Sequence, residues 1–415
     1  MGKGFFVILG CMIMVINNNQ ALQQLSPDQQ LSVEQENLCA NVLDFCCKHI
    51  VQGHAVFVIK GDAGTGKSLV INKIFNEIQK KSRDKNSINP LSGTQNYLLV
   101  NHPEMMKLYR NISEQNSFTK KKDFERPTSF INTMHKTGQV ADVVVIDEAH
   151  LLLTKSDKYN RFSQDNHLEE ILKCAKVVVL VFDEKQVLKF KSHWDNNKLS
   201  EILLHKNVQT YWLENQFRMQ AGAQTCRWIE KFCKKKIDPI PQDPSFDLKV
   251  FQDAQAMYED VCQKNTQFGL SRMVATYDYP YRLDGKEHFV TEGRFHLKWD
   301  IAKPEARLPW AERTDTIDEV GSVYTVQGFD LNYVGLLLGP SVRYDAQTDG
   351  LELDPARYED GAAFAGRNGF ASPEQTMEQI MLNAMNVLMT RAVKGLYLYA
   401  HDPALRARLL FLQKV

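Results

Sequence analysis

The chain has no net charge that would mark out a partner: 50 Lys and Arg residues offset 50 Asp and Glu residues over 415 positions. Any polyanion site must then come from local grouping rather than a global field. Two runs offer such grouping, Lys120-Lys121-Lys122 and Lys234-Lys235-Lys236, and each reads equally well as a solvated face. Cysteine is sparse, with 8 residues, no Cys-x-x-Cys and no Cys/His set at zinc spacing, which argues against a disulfide framework or zinc module and for a reducing compartment. Phe5 to Ile16, behind Lys3, is apolar but too short to span a bilayer, and it lacks a small-residue cleavage site. It reads as a strand, a peripheral helix or a misassigned start, with secretion as the alternative, and no stable membrane association is expected. The sequence holds no internal repeat, low-complexity tract or nuclease constellation.

What remains is a globular composition, 43% hydrophobic and 24% charged, in a chain long enough for two domains of ordinary size. The most informative stretch is Gly61-Asp62-Ala63-Gly64-Thr65-Gly66-Lys67-Ser68, preceded by the apolar run His54 to Ile59. Glycines let backbone N–H groups close around phosphate oxygens, Lys67 reaches the β and γ groups, and the Ser68 hydroxyl is a Mg²⁺ ligand. From Leu69 to Lys80 the chain reads as a helix with its positive end toward the anion. Strand, loop and helix in that order make nucleotide binding the leading expectation.

A second element supports the first. Val143-Val144-Val145-Ile146 is a β-branched run of the kind buried on both faces of a parallel sheet, and it ends in Asp147-Glu148-Ala149-His150. An acidic residue at such a strand end holds Mg²⁺ in P-loop enzymes, and a following glutamate positions or deprotonates water. Asp147 is therefore the second candidate metal residue and Glu148 the catalytic one; the competing reading is that both cap the next helix.

Along the chain, residues 1–30 read as the apolar stretch and a linker, 31–212 as a first domain and 213–415 as a second. Ser32 and Gln35 have capping-box spacing at the start of a helix running to Ile50. Strands are expected at Ala55 to Lys60, Tyr97 to Asn101, Val140 to Ile146 and Val177 to Phe182, alternating with helices as βαβ units. Ser113 to Pro127 reads as an exposed excursion. A second series is expected from Val208 onward, with strands at Met273 to Tyr277, Gly335 to Leu338 and Gly395 to Tyr399. The stretches Glu287 to Arg313 and Arg343 to Gln375 read as irregular inserts. The fold class expected is α/β, a P-loop protein with two parallel sheets in tandem.

Four later stretches, taken in order, resemble the signature of superfamily 1 helicases. They are Val181-Phe182-Asp183-Glu184-Lys185-Gln186, Leu213-Glu214-Asn215-Gln216-Phe217-Arg218-Met219, Gly321 to Asp330 around Gln327-Gly328-Phe329, and Asn386 to Ala392 around Thr390-Arg391-Ala392. Their wording, together with Lys394-Gly395-Leu396-Tyr397, looks most like the Schlafen group 3-like helicase domain, over roughly Ser32 to Asp402. The resemblance implies two RecA-like domains with ATP and Mg²⁺ between them. It implies Gln186 as a γ-phosphate sensor, Arg218 and Arg391 as arginine fingers, and Gln327 and Gly328 as links to nucleotide and nucleic acid. Gln35 would contact the base, or is a helix-surface glutamine. Single-stranded DNA or RNA would cross both domains near Asn101, His102, Phe130, Thr133, His135, Tyr324, Thr325 and Gln327, although Phe130 and Tyr324 read as well as core and His135 as a hydrogen-bonded histidine. Trp299 and Trp310 read as packing residues.

The implied activity is ATP hydrolysis coupled to movement on nucleic acid, in an ATP-containing compartment such as the cytoplasm. The alternative is a nucleotide switch acting on a protein partner; a small-molecule kinase would not need the later stretches.

Overall fold

The computed structural model describes residues 29–414 and Leu25, apart from positions 62–63, 85, 87, 195, 215, 217, 282–285, 300–302, 304 and 369. Asp62 and Ala63 of the phosphate loop and the apolar stretch Phe5 to Ile16 lie outside the described residues.

The first sheet has the order β3-β2-β4-β5-β1-β6 and is parallel throughout. Its strands are β1 (Ala55–Gly61), β2 (Asn96–Val100), β3 (Phe124–Glu125), β4 (Ala141–Asp147), β5 (Ala175–Phe182) and β6 (Asn207–Leu213). The central strands are β-branched and buried on both faces, which is why they read as unbroken apolar runs. Helices α1 (Val33–His49), α2 (Lys67–Arg83), α3 (Pro103–Glu114), α4 (Pro127–Thr137), α5 (His167–Lys173) and α6 (Asn196–Leu203) connect them. The capping box is present: Gln35 N–H donates to Ser32 Oγ at 3.3 Å, and Ser32 N–H to Gln35 Oε1 at 3.0 Å.

The second sheet runs β7-β15-β12-β8-β11-β10-β9, parallel except for the β9/β10 hairpin. It is built from β7 (Asp247–Val250), β8 (Ser271–Ala275), β9 (Phe289–Glu292), β10 (Phe295–Trp299), β11 (Glu319–Gly321), β12 (Leu331–Leu338) and β15 (Ala392–Ala400), with a separate hairpin β13 (Val342–Asp345)/β14 (Gly350–Leu353). Helices α7 (Ala223–Phe232), α8 (Ala254–Phe268), α9 (Val323–Val326), α10 (Pro373–Met389) and α11 (Pro403–Leu412) complete this lobe.

Three sequence expectations are corrected. The strand at Val208 belongs to the first sheet, paired with β1, so the second series does not begin there. Ser113 to Pro127 is not simply an exposed excursion, because Phe124 is buried in the core and β3 is the sheet's edge. The two inserts are not irregular throughout: they hold β9/β10 and β13/β14. Trp299 and Trp310 are buried packing residues, as expected.

A pH-dependent cost lies at the far end of β8. Burial pushes the Asp278 carboxyl up to about 6, above its ordinary value of 3.8. A raised acid is favoured in its protonated form, so folding is penalised progressively as pH rises from about 4 to about 6 and fully above that. Asp278→Asn is expected to raise thermal stability at pH 7–8 by up to about 3 kcal/mol, with the gain gone at pH 4. Melting midpoints across that range check it; a pH-independent difference would contradict the burial argument.

Candidate active site

Parallel pairing brings the C-terminal ends of β1, β4 and β5 to one edge of the first sheet, although they lie far apart in sequence. Gly61, Asp147 and Asp183 meet there. The loop after β1 turns through Gly64 (φ +88°) and Gly66 (φ +76°), left-handed conformations that favour glycine. Gly66 caps α2, whose first turn carries no acidic residue, so the free N–H groups from Lys67 to Leu69 face the cavity with no carboxylate of their own turn to compete.

Lys67 Nζ donates to Gly61 O at 2.7 Å and pairs with Asp183 Oδ2 at 3.1 Å. Burial alone would raise the Asp183 pKa; the Lys67 ammonium and donated hydrogen bonds outweigh it and hold the carboxyl below its ordinary value. Gln186 Nε2 donates to the same Asp183 oxygen at 2.7 Å. Asp147 Oδ2 accepts from Tyr109 at 2.6 Å, and the Ser68 hydroxyl bonds to both groups. Burial first, then the neighbouring Glu148 charge, pushes Asp147 up to about 6. The Asp147 carboxylate beside the Ser68 hydroxyl is an oxygen donor pair suited to a hard divalent cation.

Glu148 is buried and sits at φ +52°, a strained conformation for a residue with a Cβ. Its pKa is raised, chiefly by burial. His150 Nε2 lies 3.1 Å from Glu148 Oε2 and 3.1 Å from Gln327 Nε2 of the second lobe. Burial holds His150 neutral, its pKa pushed down to about 4. Nε2 thus faces an amide donor and a carboxylate at once, and the position of the ring's single proton decides which of them it bonds. Glu148 Oε2, His150 Nδ1, Gln186 Oε1 and Gln327 Oε1 are buried without a protein hydrogen bond.

The second lobe reaches the same place. Arg391, just before β15, and Gly328, just before β12, stand at the N-terminal edge of the second sheet, and both line one cavity of about 390 Å³ with Lys67, Ser68, Glu148, Gln186 and Arg218. Arg391 is 1% exposed; burial first and the Arg218 charge second lower its pKa to about 9, so it is still protonated at neutral pH. Arg218 docks on the phosphate loop through its N–H to Gly64 O at 3.2 Å, and its guanidinium pairs with Asp330. Gly328 (φ +86°) has no room for a Cβ, which would meet Met105 Sδ of the first lobe at 2.4 Å. The buried Arg391 and half-buried Arg218 guanidiniums and four orphaned polar atoms around one phosphate loop fit a triphosphate, whose oxygens accept from the donors and whose bound water donates to the orphaned oxygens.

Not every expected residue arrives. Gln35 does line the cavity, but its side chain is satisfied by Ser32 N–H and by donation to Thr65 O at 3.1 Å, so it braces the loop rather than presenting a free amide to a base. Phe130 is fully buried core, and Thr325 caps α9 through Ser322. His102 is buried, neutral with a pKa pushed down to about 3, and accepts from Met105 N–H as the cap of α3. Asn101 Nδ2 donates to Leu151 O at 2.8 Å. Tyr324 bonds Asp360 and packs under Lys189, whose Nζ lies 4.3 Å from the ring centre. Thr133 and His135 stand exposed on α4, with His135 3.1 Å from Glu170. Sequence reasoning gave no role to Tyr109, His150, Asp183 or Asp330; His150 and Asp183 were visible only as neighbours of expected residues.

A parallel sheet bearing a phosphate loop, with a second parallel sheet delivering arginine to its cavity, defines a two-lobed P-loop protein built from RecA-like domains. The chain belongs to the family described as Schlafen group 3, DNA/RNA helicase domain, whose model matches residues 54–402, and it is a protein of the helicase class. It is similar to a Saccharomyces cerevisiae protein, Uncharacterized protein YPL245W, with 45% identity covering 95% of this chain and 93% of that one. Among solved structures it is similar to the Pif1 helicase from Candida albicans (TM-score 0.36, 11% identity, 92% of this chain and 97% of that chain). A DEAD box protein from Methanococcus jannaschii is also similar (TM-score 0.32, 12% identity, 93% of this chain and 95% of that chain). No helix among the described residues is long and apolar enough to cross a membrane.

Proposed function

We propose that the protein hydrolyses Mg²⁺-ATP between its lobes and couples lobe closure to movement along, or remodelling of, single-stranded DNA or RNA. The observation that carries this reading is the convergence of Lys67, Glu148 and Gln186 from the first lobe with Arg391 from the second on one cavity. Backbone N–H groups of Gly64 to Leu69 and the Lys67 ammonium hold the phosphates. Ser68 and Asp147 hold the metal, which supplies charge neutralisation when bound. Glu148 accepts the proton of the attacking water, its raised pKa favouring uptake. Arg391 and Arg218 face the charge that develops on the transferred group, and because Arg391 rides on the second sheet, turnover depends on how the lobes meet. Gln186 and Gln327, each with an unmatched carbonyl oxygen, orient water or report the terminal phosphate.

The test is ATP hydrolysis measured with and without single-stranded DNA and RNA. Stimulation by either polymer supports the motor. A basal rate indifferent to both would favour the alternative, a nucleotide switch acting on a protein partner. Lys67→Ala is expected to weaken ATP binding by at least tenfold, since the phosphates lose their point-charge partner. It also strands buried Asp183 with fewer donors, so a fall in the apo melting midpoint is expected alongside. Titration of a fluorescent ATP analogue, with melting curves of both proteins, separates the two effects; parent affinity in Lys67→Ala would remove the phosphate role.

A further inference from the structure

Away from the nucleotide cavity, α3 of the first lobe and the segment 303–310 of the second are laced together. Glu104 Oε2 accepts from Trp310 N–H at 2.7 Å, Lys107 Nζ donates to Lys303 O at 2.9 Å, and Asn111 Nδ2 donates to Arg307 O at 3.2 Å. Arg307 reaches back to Glu114 at 3.2 Å. These helix positions recur every three or four residues, so one face of α3 is given over to the seam. Beside the seam opens a concavity of about 590 Å³, lined by Lys107, Arg110, Lys121 and Lys122 from the first lobe and Arg307 from the second.

Its charge is only partly answered. Glu114 is shared between Lys121 at 2.5 Å and Arg307, and Glu104 is taken by Lys107 at 2.8 Å. Arg110, Lys122 and the neighbouring Arg126 form no ion pair among the described residues, although all three are exposed. Partial burial of the Arg126 side chain, and then the Arg110 charge, lower its pKa, so the two cations lie in each other's field, with the Glu125 carboxyl within reach of the Arg110 charge. Elsewhere on the surface the run at Lys234 and Lys235 is matched by Glu230 and Glu378. Within the Lys120 to Lys122 run only Lys121 forms an ion pair among the described residues, against two of the three lysines at 234–236.

We propose that this seam is a second nucleic-acid contact, in which Arg110, Lys122 and Arg126, with Arg307, grip the phosphodiester backbone outside the path between the lobes. It rests on the reading of the protein as a nucleic-acid-dependent ATPase and adds the surface that anchors the polymer. Because its cations come from both lobes, a bound backbone bridges them and favours the lobe arrangement that places Arg391 at the nucleotide cavity. The site reads charge rather than base, so it serves any sequence.

The test uses the full chain and fluorescence anisotropy with labelled single strands of DNA and RNA and a duplex with a single-stranded tail, across a salt series. Arg110→Gln/Lys122→Gln is expected to lose about tenfold or more in affinity for at least one of these probes at low salt. It should also flatten the log–log salt dependence by about two contacts, while binding of an ATP analogue without nucleic acid stays at the parent level. Lys234→Gln/Lys236→Gln, of equal charge change, should stay within about twofold of the parent in affinity. Parent affinity and slope in the Arg110/Lys122 variant, or an equal loss in the Lys234/Lys236 variant, would overturn the seam site and leave the ATPase reading standing. Failure of the parent to bind any probe would overturn the nucleic-acid reading itself, and this site with it.

Discussion

Arg391→Ala is expected to slow ATP hydrolysis by about 10³–10⁵-fold with little change in nucleotide affinity, the scale at which an arginine finger acts on phosphoryl transfer. Arg391 reaches the cavity fully buried, fixed by donation from Nε to Val387 O at 3.1 Å, and beside a second guanidinium that repels it. A cation kept in so unfavourable a place is stabilised when negative charge grows opposite, which happens most in the transition state. Arg391→Lys should recover only a small part of the rate, because the ammonium keeps the charge and loses the planar fork. Single-turnover rates and analogue titrations measure the two quantities separately. A parent rate in Arg391→Ala would end the two-lobe account of catalysis, leaving a nucleotide-binding fold whose second lobe does something else.

Glu148→Gln should leave ATP binding intact and lower turnover by about 10²–10⁴-fold. The replacement is nearly isosteric, keeps the neighbours in place and removes only the ability to take a proton. Trapped ATP complex with slow phosphate release is the expected signature; hydrolysis at the parent rate would move the base elsewhere. His150→Ala supplies the comparison, because it removes the link between Glu148 and Gln327 without touching a carboxylate.

Much of the catalytic half of the molecule could be read from the chain. The phosphate loop and the Val143 to Ile146 strand carry local signatures, because glycine geometry and two-sided burial each dictate residue types in a short window. Ser32 and Gln35 were legible as a capping box for the same reason, and that local role is the one the structure gives Gln35. The strand at Val208 was assigned to the wrong sheet since pairing is a long-range choice: Asn207–Leu213 is mostly exposed, and only its register with β1 identifies its partner. Asp183 and Asp330 went unread because what they do depends on which cations lie opposite, a matter of topology and not of neighbouring letters. For Phe130 the chain leaves two readings open, nucleic-acid contact or core, and the structure gives the core, where its apolarity draws it.

The pairing of Lys67 with Asp183 and of Arg218 with Asp330 means that a triphosphate does not enter an empty electrostatic socket. It must trade places with carboxylates that already satisfy those cations, so part of the attraction is spent on exchange and the bound state is correspondingly shallower. In the proposed ATPase cycle a shallow well is an advantage, because product that has lost its terminal phosphate would compete less well with Asp183 and Asp330 for the same cations.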